Sequence, residues 1–153
     1  CSSLKTAQRL SKIWGPLHYR AAVTEAQQQL QPVLRIARPS RDLAATSHFY
    51  GTLMGLERLG GFEQHNGYDG CFLGFAGATW HLELTFHEDH QPTPSVEDLL
   101  VFYMDQEKID EVVTRAANLG VASSSHPNPY WEASGALGFV DPDGYFLIVC
   151  PED

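Results

Sequence analysis

The feature that most constrains the fold of this chain is a pattern of elements that occurs twice. In each copy one strand and one helix are followed by three more strands, and a glycine ends the helix. These glycines, Gly55 and Gly120, lie 65 positions apart, and glycine is the residue at which helices most readily stop. A single unit of this kind is a half-open sheet with a small core. The repeat therefore predicts two units that share one hydrophobic core.

The individual elements follow from apolar periodicity and from turn residues. The first copy is predicted as a strand over 32–37, a helix over 43–54 and strands over 57–63, 70–75 and 79–86. The second copy is predicted as a strand over 99–104, a helix over 106–119 and strands over 121–124, 136–140 and 145–150. The fold class is therefore α+β, with two tandem βαβββ modules that form a cupped mixed sheet.

The predicted domain spans residues 32–153, with module one at 32–90 and module two at 95–153. A polar, proline-containing connector at 87–95 joins the modules. Residues 1–31 differ from the rest, because apolar residues recur at helical spacing until Gly15-Pro16 and a Gln- and Ala-rich stretch follows. This segment is predicted as an N-terminal helical arm that packs on the domain or on a neighbouring subunit.

Composition limits the classes of partner. The net charge is −9, from 19 acidic and 10 basic residues, and no basic stripe is present to meet phosphates, so nucleic acid is excluded. The same charge mildly favours neutral or cationic ligands. No run of about 18 apolar residues occurs, so no membrane-spanning segment is expected.

The three cysteines indicate a compartment. Cys1, Cys71 and Cys150 form no CxxC pair, and an odd number argues against a disulfide framework, so a reducing, cytoplasmic location is expected. The chain begins at Cys1, which we interpret as a trimmed or incomplete sequence. A processed lipoprotein, which also starts with cysteine, is the alternative.

The strand predicted over 79–86 has one apolar face and one polar face. The apolar face carries Trp80, Leu82, Leu84 and Phe86, and the polar face carries His81, Glu83 and Thr85. A carboxylate flanked by an imidazole and a hydroxyl either faces water or lines a polar cavity.

Four motifs in this order resemble the vicinal oxygen chelate superfamily, which contains glyoxalase I, the bleomycin-resistance proteins and the extradiol dioxygenases. The motifs are Arg41-Asp42-Leu43 leading to Phe49-Tyr50, Leu53-Met54-Gly55-Leu56, His81-Leu82-Glu83-Leu84 and Asp141-Pro142-Asp143-Gly144-Tyr145. The resemblance covers residues 33–150. Within it, Pro127-Asn128-Pro129-Tyr130-Trp131 is similar to the uncharacterised bacterial branch of YycE-like proteins.

The resemblance implies where a metal would bind. Metal-dependent members take four ligands from the first and fourth strands of each module, and these places fall on Arg35, Glu83, Leu100 and Ile148. A one-residue shift of the first strands would exchange Arg35 for Leu34 and Leu100 for Leu99, which adds no ligand. Glu83 alone could bind a metal, because the aliphatic side chains have no donor atom and arginine stays protonated. We therefore expect no metal cofactor and an ion pair between Arg35 and Glu83.

The leading functional hypothesis is metal-independent binding or sequestration of a small organic molecule, cationic or aromatic, in the cleft of the sheet. The resemblance also implies a homodimer. Aromatic walls and a few charges suit such a pocket. The predicted ligand-binding residues are Arg35, His81, Glu83, Tyr103, Tyr130 and Trp131.

Two alternatives remain open at this point. The first is a metal-dependent lyase, isomerase or dioxygenase-type enzyme in which Glu83 and His81 bind a divalent ion with His87, His90 or His126. The second is a structural or partner-binding module, which would be favoured if side chains filled the cleft. Trp80 and Phe102 could belong either to the cleft or to the core. Tyr130 and Trp131 follow Pro127-Asn128-Pro129 in a predicted loop, which favours a ligand-facing role for them.

Overall fold

Residues 32–152 are described by the structure, which is a computed structural model; the arm predicted at 1–31 lies outside them. Module one forms a four-stranded sheet in the order β1-β4-β3-β2, with β1 parallel to β4 and the other pairs antiparallel. Its elements are β1 (Leu34–Pro39), α1 (Leu43–Met54), β2 (Glu57–His65), β3 (Tyr68–Gly74) and β4 (Trp80–Phe86).

Module two forms a three-stranded sheet in the order β5-β7-β6, again with its first strand parallel to its last. Its elements are β5 (Leu99–Met104), α2 (Gln106–Leu119), α3 (Pro129–Ala133), β6 (Leu137–Val140) and β7 (Phe146–Pro151). The two modules thus repeat one arrangement, and the predicted α+β fold of βαβββ-like units is confirmed.

Two predictions for module two are wrong. The strand expected at 121–124 does not form: Ser124 donates one backbone hydrogen bond to Gly138, with 2.8 Å between nitrogen and oxygen. The segment 127–131, expected to be a loop, contains the start of α3, because the Asn128 side chain caps the backbone N–H of Tyr130 and Pro129 occupies the first turn.

The helices of both modules begin and end alike. Asp42 accepts a hydrogen bond from the backbone N–H of Ala45, and Asp105 accepts one from that of Lys108. Each aspartate satisfies a donor that the first helical turn leaves unpaired. Gly55 and Gly120 then adopt left-handed backbone conformations, with φ of 73° and 68°.

One apolar core joins the modules. It contains α1 and α2 side chains together with one face of each sheet, including Tyr50, Leu53, Leu82, Leu147 and Val149, all fully buried. The rings of Trp80 and Phe102 pack against this core, with their centroids 5.5 Å apart. These two aromatic residues therefore belong to the core.

A buried polar network also crosses from module to module. The Tyr50 hydroxyl donates to Asp141 at 2.7 Å, while the other oxygen of Asp141 accepts the backbone N–H groups of Asp143 and Tyr145. The Thr46 hydroxyl donates to Asp143 at 2.7 Å. This arrangement explains the Asp-Pro-Asp-Gly motif, because the turn before β7 holds α1 of the other module.

Candidate functional site

A group of polar side chains lies on the face of the module one sheet that is turned away from the core, which we call the open face. On β4, Leu82 and Leu84 are buried in the core, so His81 and Glu83 point to the open face. The parallel register sets Arg35 of β1 opposite His81, and the antiparallel register sets Phe72 of β3 opposite Glu83. We call Arg35, Phe72, His81 and Glu83 the Arg35 cluster.

The guanidinium of Arg35 contacts all three other members of the cluster. Its Nη1 lies 3.1 Å from Oε2 of Glu83, and its Nε–H donates to Nε2 of His81 at 3.2 Å. Its Cζ lies 5.1 Å from the centre of the Phe72 ring, a cation–π arrangement. The predicted ion pair between Arg35 and Glu83 is confirmed.

The two charges of this pair differ in exposure. The Glu83 side chain is 8% exposed, whereas that of Arg35 is 55% exposed. A buried carboxylate requires a partner, and the guanidinium provides one. Because Nε2 of His81 accepts a hydrogen bond, the imidazole is neutral in this arrangement. The cluster thus contains one cation, one anion and one neutral ring.

The described residues do not fit a four-ligand divalent metal site. The first-strand residues that share the open face with Glu83 are Arg35 and Ala37, and in module two Val101 lies opposite Ile148. None of these four side chains supplies an oxygen donor. Across residues 32–152 no group of three or more His, Cys, Asp or Glu side chains is placed to hold a metal ion.

Of the two positions considered on the first strand of module two, Leu100 is wrong and Leu99 lies on the same strand face as Val101. Leu100 is 8% exposed and belongs to the core, because β5 presents Val101, not Leu100, to the face that carries Ile148. In module one the guanidinium already occupies Nε2 of His81 and Oε2 of Glu83. A divalent ion bound to these two atoms would have to displace a cation.

The histidines considered as further ligands lie elsewhere. His87 and His90 stack with ring centroids 4.5 Å apart, and Tyr68 shares a 2.7 Å hydrogen bond with His90. His126 bonds to the Val96 carbonyl oxygen through Nε2 at 2.6 Å. No hydrogen bond, ion pair or ring contact in the described part of the chain joins any of the three to the Arg35 cluster.

The other predicted site residues form a second group on module two. Tyr103 lies opposite Cys150 and is 39% exposed, and its pKa is raised by partial burial, with Cys150 and Tyr130 adding to the effect. Tyr130 meets Trp131 edge to face at 5.1 Å. Nε1 of Trp131 is buried without a hydrogen-bond partner among the described residues.

The structure therefore brings Arg35, His81 and Glu83 into contact, and it places Tyr103, Tyr130 and Trp131 in a separate group. No hydrogen bond, ion pair or ring contact links the two groups within residues 32–152. The sequence analysis did not identify Phe72 as a site residue. Asn66-Gly67 is typical of a hairpin turn and indicates only that the strand containing Phe72 pairs with β2. The place of Phe72 opposite Glu83 depends on the register between β3 and β4, which alternation alone does not give.

Comparison with known proteins identifies the family. The fold is that of the vicinal oxygen chelate superfamily: the structure matches the trypanothione-dependent glyoxalase I of Leishmania major with a TM-score of 0.61 and 22% identity, over 80% of this chain and 87% of that one. It matches TnmS3, an antibiotic-binding protein from Streptomyces sp. CB03234, with a TM-score of 0.61 and 22% identity, over 80% and 97%. At this identity the likeness shows the fold alone.

The family models are more specific. Residues 34–85 match the YycE-like N-terminal domain and residues 97–150 match the YycE-like C-terminal domain. The chain is 36% identical to YycE of Bacillus subtilis over 118 residues, which is 75% of this chain and 84% of YycE. The crystal structure of YycE, a protein of unknown function, matches with a TM-score of 0.70, over 78% of this chain and 90% of that one. The chain belongs to the YycE-like family.

Proposed function

We propose that this protein binds a small organic molecule at the Arg35 cluster without a metal ion. The observation that carries the proposal is the ion pair itself, in which a guanidinium holds the carboxylate of Glu83 and remains 55% exposed on the open face. Glu83 is the one side chain at the family's ligand positions with an oxygen donor, and its partner is a protein cation. The carboxylate of Glu83 thus has a positively charged partner without a metal ion.

The relatives support binding as a function of this fold without choosing the ligand. TnmS3 is an antibiotic-binding protein and the Leishmania protein is a glyoxalase, so one fold serves both binding and catalysis. Function is decided by the site placed on a fold. Here the site offers a cation, a neutral imidazole and an aromatic ring, which suit recognition of a ligand.

The experiment is metal analysis by mass spectrometry of protein purified without chelator, combined with a thermal-shift screen of small molecules before and after EDTA treatment. We expect substoichiometric metal and ligand-induced shifts that EDTA leaves unchanged. The matched variants are Glu83→Gln in the cluster and Glu88→Gln on the exposed connector, which change charge equally. The ligand-induced shifts should change in Glu83→Gln, which alters the Arg35 cluster, and should be unaffected in Glu88→Gln.

A stoichiometric transition metal that is lost in Glu83→Gln and retained in Glu88→Gln would contradict the proposal. It would favour the metal-dependent enzyme instead, with His81 as the next ligand to test. The homodimer and the cytoplasmic location implied earlier remain predictions. Light scattering coupled to size exclusion would measure the first and fractionation of the host cell the second. Within the described residues, no helix is long and apolar enough to cross a membrane.

A further inference from the structure

The donors of Arg35 are not all used within the protein. A guanidinium carries five N–H groups in a rigid fork. The Nε–H donates to His81 and Nη1 makes the ion-pair contact with Glu83, but no atom of the described residues accepts a hydrogen bond from Nη2. Both N–H groups of Nη2 therefore remain available on a side chain that is 55% exposed.

The exposure of the pair determines which charge a ligand meets. The carboxylate of Glu83 lies beneath the guanidinium and is 8% exposed, so the open face presents the cation. The third polar member, His81, is a neutral acceptor in this arrangement. A second carboxylate in its place would make the cluster anionic, whereas the imidazole fixes the guanidinium without adding charge.

The guanidinium is also held in position before a ligand arrives. Three contacts, from Glu83, His81 and the face of Phe72, hold a side chain that would otherwise lose rotamer entropy when a ligand orders it. A preorganised fork with free donors is the arrangement that recognises planar oxyanions by paired, charge-assisted hydrogen bonds.

We infer that the ligand of this site carries a carboxylate or another planar oxyanion that binds the free N–H groups of Arg35. The inference rests on the proposed function and adds the charge of the ligand to it. The net charge of −9 would favour a cation. However, charges beyond about 8 Å are screened at physiological ionic strength. The charge of the preferred ligand is therefore set by Arg35, the group that would contact it directly.

The test uses three probes with one aromatic ring and different charge: benzoate, benzamide and benzylammonium. Dissociation constants are measured by chemical-shift titration of the full chain at neutral pH and constant ionic strength. We expect benzoate to bind about tenfold more tightly than either of the others, which is the ratio that one added charge-assisted hydrogen bond supplies. The largest shifts should arise from Arg35 and His81.

Variants locate the effect. Arg35→Gln should abolish the preference for benzoate, and Arg35→Lys should retain part of it, because the charge remains but the fork is lost. The matched control is Arg58→Gln, an exposed arginine that lies opposite Leu73, on the other face of the sheet. Should Arg35→Gln fail to fold, Glu83→Gln provides a second test. It removes the carboxylate that competes with benzoate for Arg35, so benzoate binding should become several-fold tighter.

The failures of the two proposals are distinguishable. If all three probes bind equally, if benzylammonium binds most tightly, or if the preference survives in Arg35→Gln, the inference is overturned and small-molecule binding stands. If none of the probes shifts the cluster and no compound in the screen does so either, the proposed function is wrong and the inference is overturned with it.

Discussion

The two modules share one backbone pattern and differ in the faces that their sheets turn away from the core. In module one the half-exposed guanidinium of Arg35 lies over the buried Glu83. At the matching place in module two lies Ile148, which is fully buried, next to Cys150, which is 3% exposed. Around these positions, the face of module one is polar and partly exposed, and the face of module two is apolar and buried.

The residue opposite each of these positions accounts for the difference. Phe72 lies opposite Glu83 and supports Arg35, whereas Gly138 lies opposite Ile148. A Cβ at Gly138 would collide with the carbonyl oxygen of Ser124, so this glycine lets the chain approach the sheet closely. Ser124 therefore lies over this face at Gly138, and Ser134 at the end of α3 contacts Cys150 on it. The two modules therefore share the same backbone arrangement, and module one carries the polar site.

The largest effect is expected when the polar residue of module one is copied into module two. Ile148→Glu places a carboxylate in a fully buried position whose strand partners, Val101 and Gly138, carry no charge. We expect a loss of about 4 kcal/mol in the free energy of unfolding, measured by urea denaturation.

The control for this variant is Ile148→Val, which removes one methylene and should cost about 1 kcal/mol. If Ile148→Glu were as mild as the valine control, the face of module two would be open to water. The contrast between the modules would then be wrong.

A smaller effect is expected at the network that joins the modules. Asp141→Ala removes the acceptor of the Tyr50 hydroxyl and of two backbone N–H groups, and should cost about 3 kcal/mol. Asp141→Asn keeps the oxygen that binds the backbone and should cost less than half as much. Equal losses in the two variants would show that the charge of Asp141, and not the hydrogen bonds to the backbone, stabilises the contact between the modules.

The same position predicts a dependence on pH. Burial raises the pKa of Asp141 above its ordinary value of 3.8, against the opposing hydrogen bonds from Tyr50 and from two backbone amides. A carboxyl group with a raised pKa in the folded state contributes stability below pH 3.8, and that contribution is lost as pH rises through the raised pKa. The free energy of unfolding of Asp141→Asn relative to the unsubstituted protein should therefore increase over that window and then level off.

The smallest effect concerns a feature that the modules share. Gly55→Ala and Gly120→Ala each force a side chain into the left-handed region, where an L-residue other than glycine costs about 1 kcal/mol. An added Cβ meets no atom closer than 3.9 Å at Gly55 and none within 4 Å at Gly120. The two losses in melting experiments should therefore agree, and Asn at either position should cost less. Unequal losses would mean that the helix ends are not equivalent.

The sequence predicted the order of the elements in module one and most of module two, because alternation, caps and turn residues are local signals. It also placed Arg35 and Glu83 on one face, and their ion pair is confirmed. It failed for 121–124, where apolar residues suggested a strand that makes one hydrogen bond to β6. It failed for Leu100 because the direction of a strand face depends on the register with β7, which a single strand does not contain.

By itself the sequence determined the α+β class and the duplication, since both follow from residue types and their spacing. The tertiary structure decided that Glu83 is buried beneath an exposed Arg35, that Trp80 and Phe102 pack against the core, and that Ile148 of module two is fully buried. These properties depend on which residues become neighbours across strands. Burial and pairing are long-range consequences of packing, and they determine which charge the site offers to a ligand.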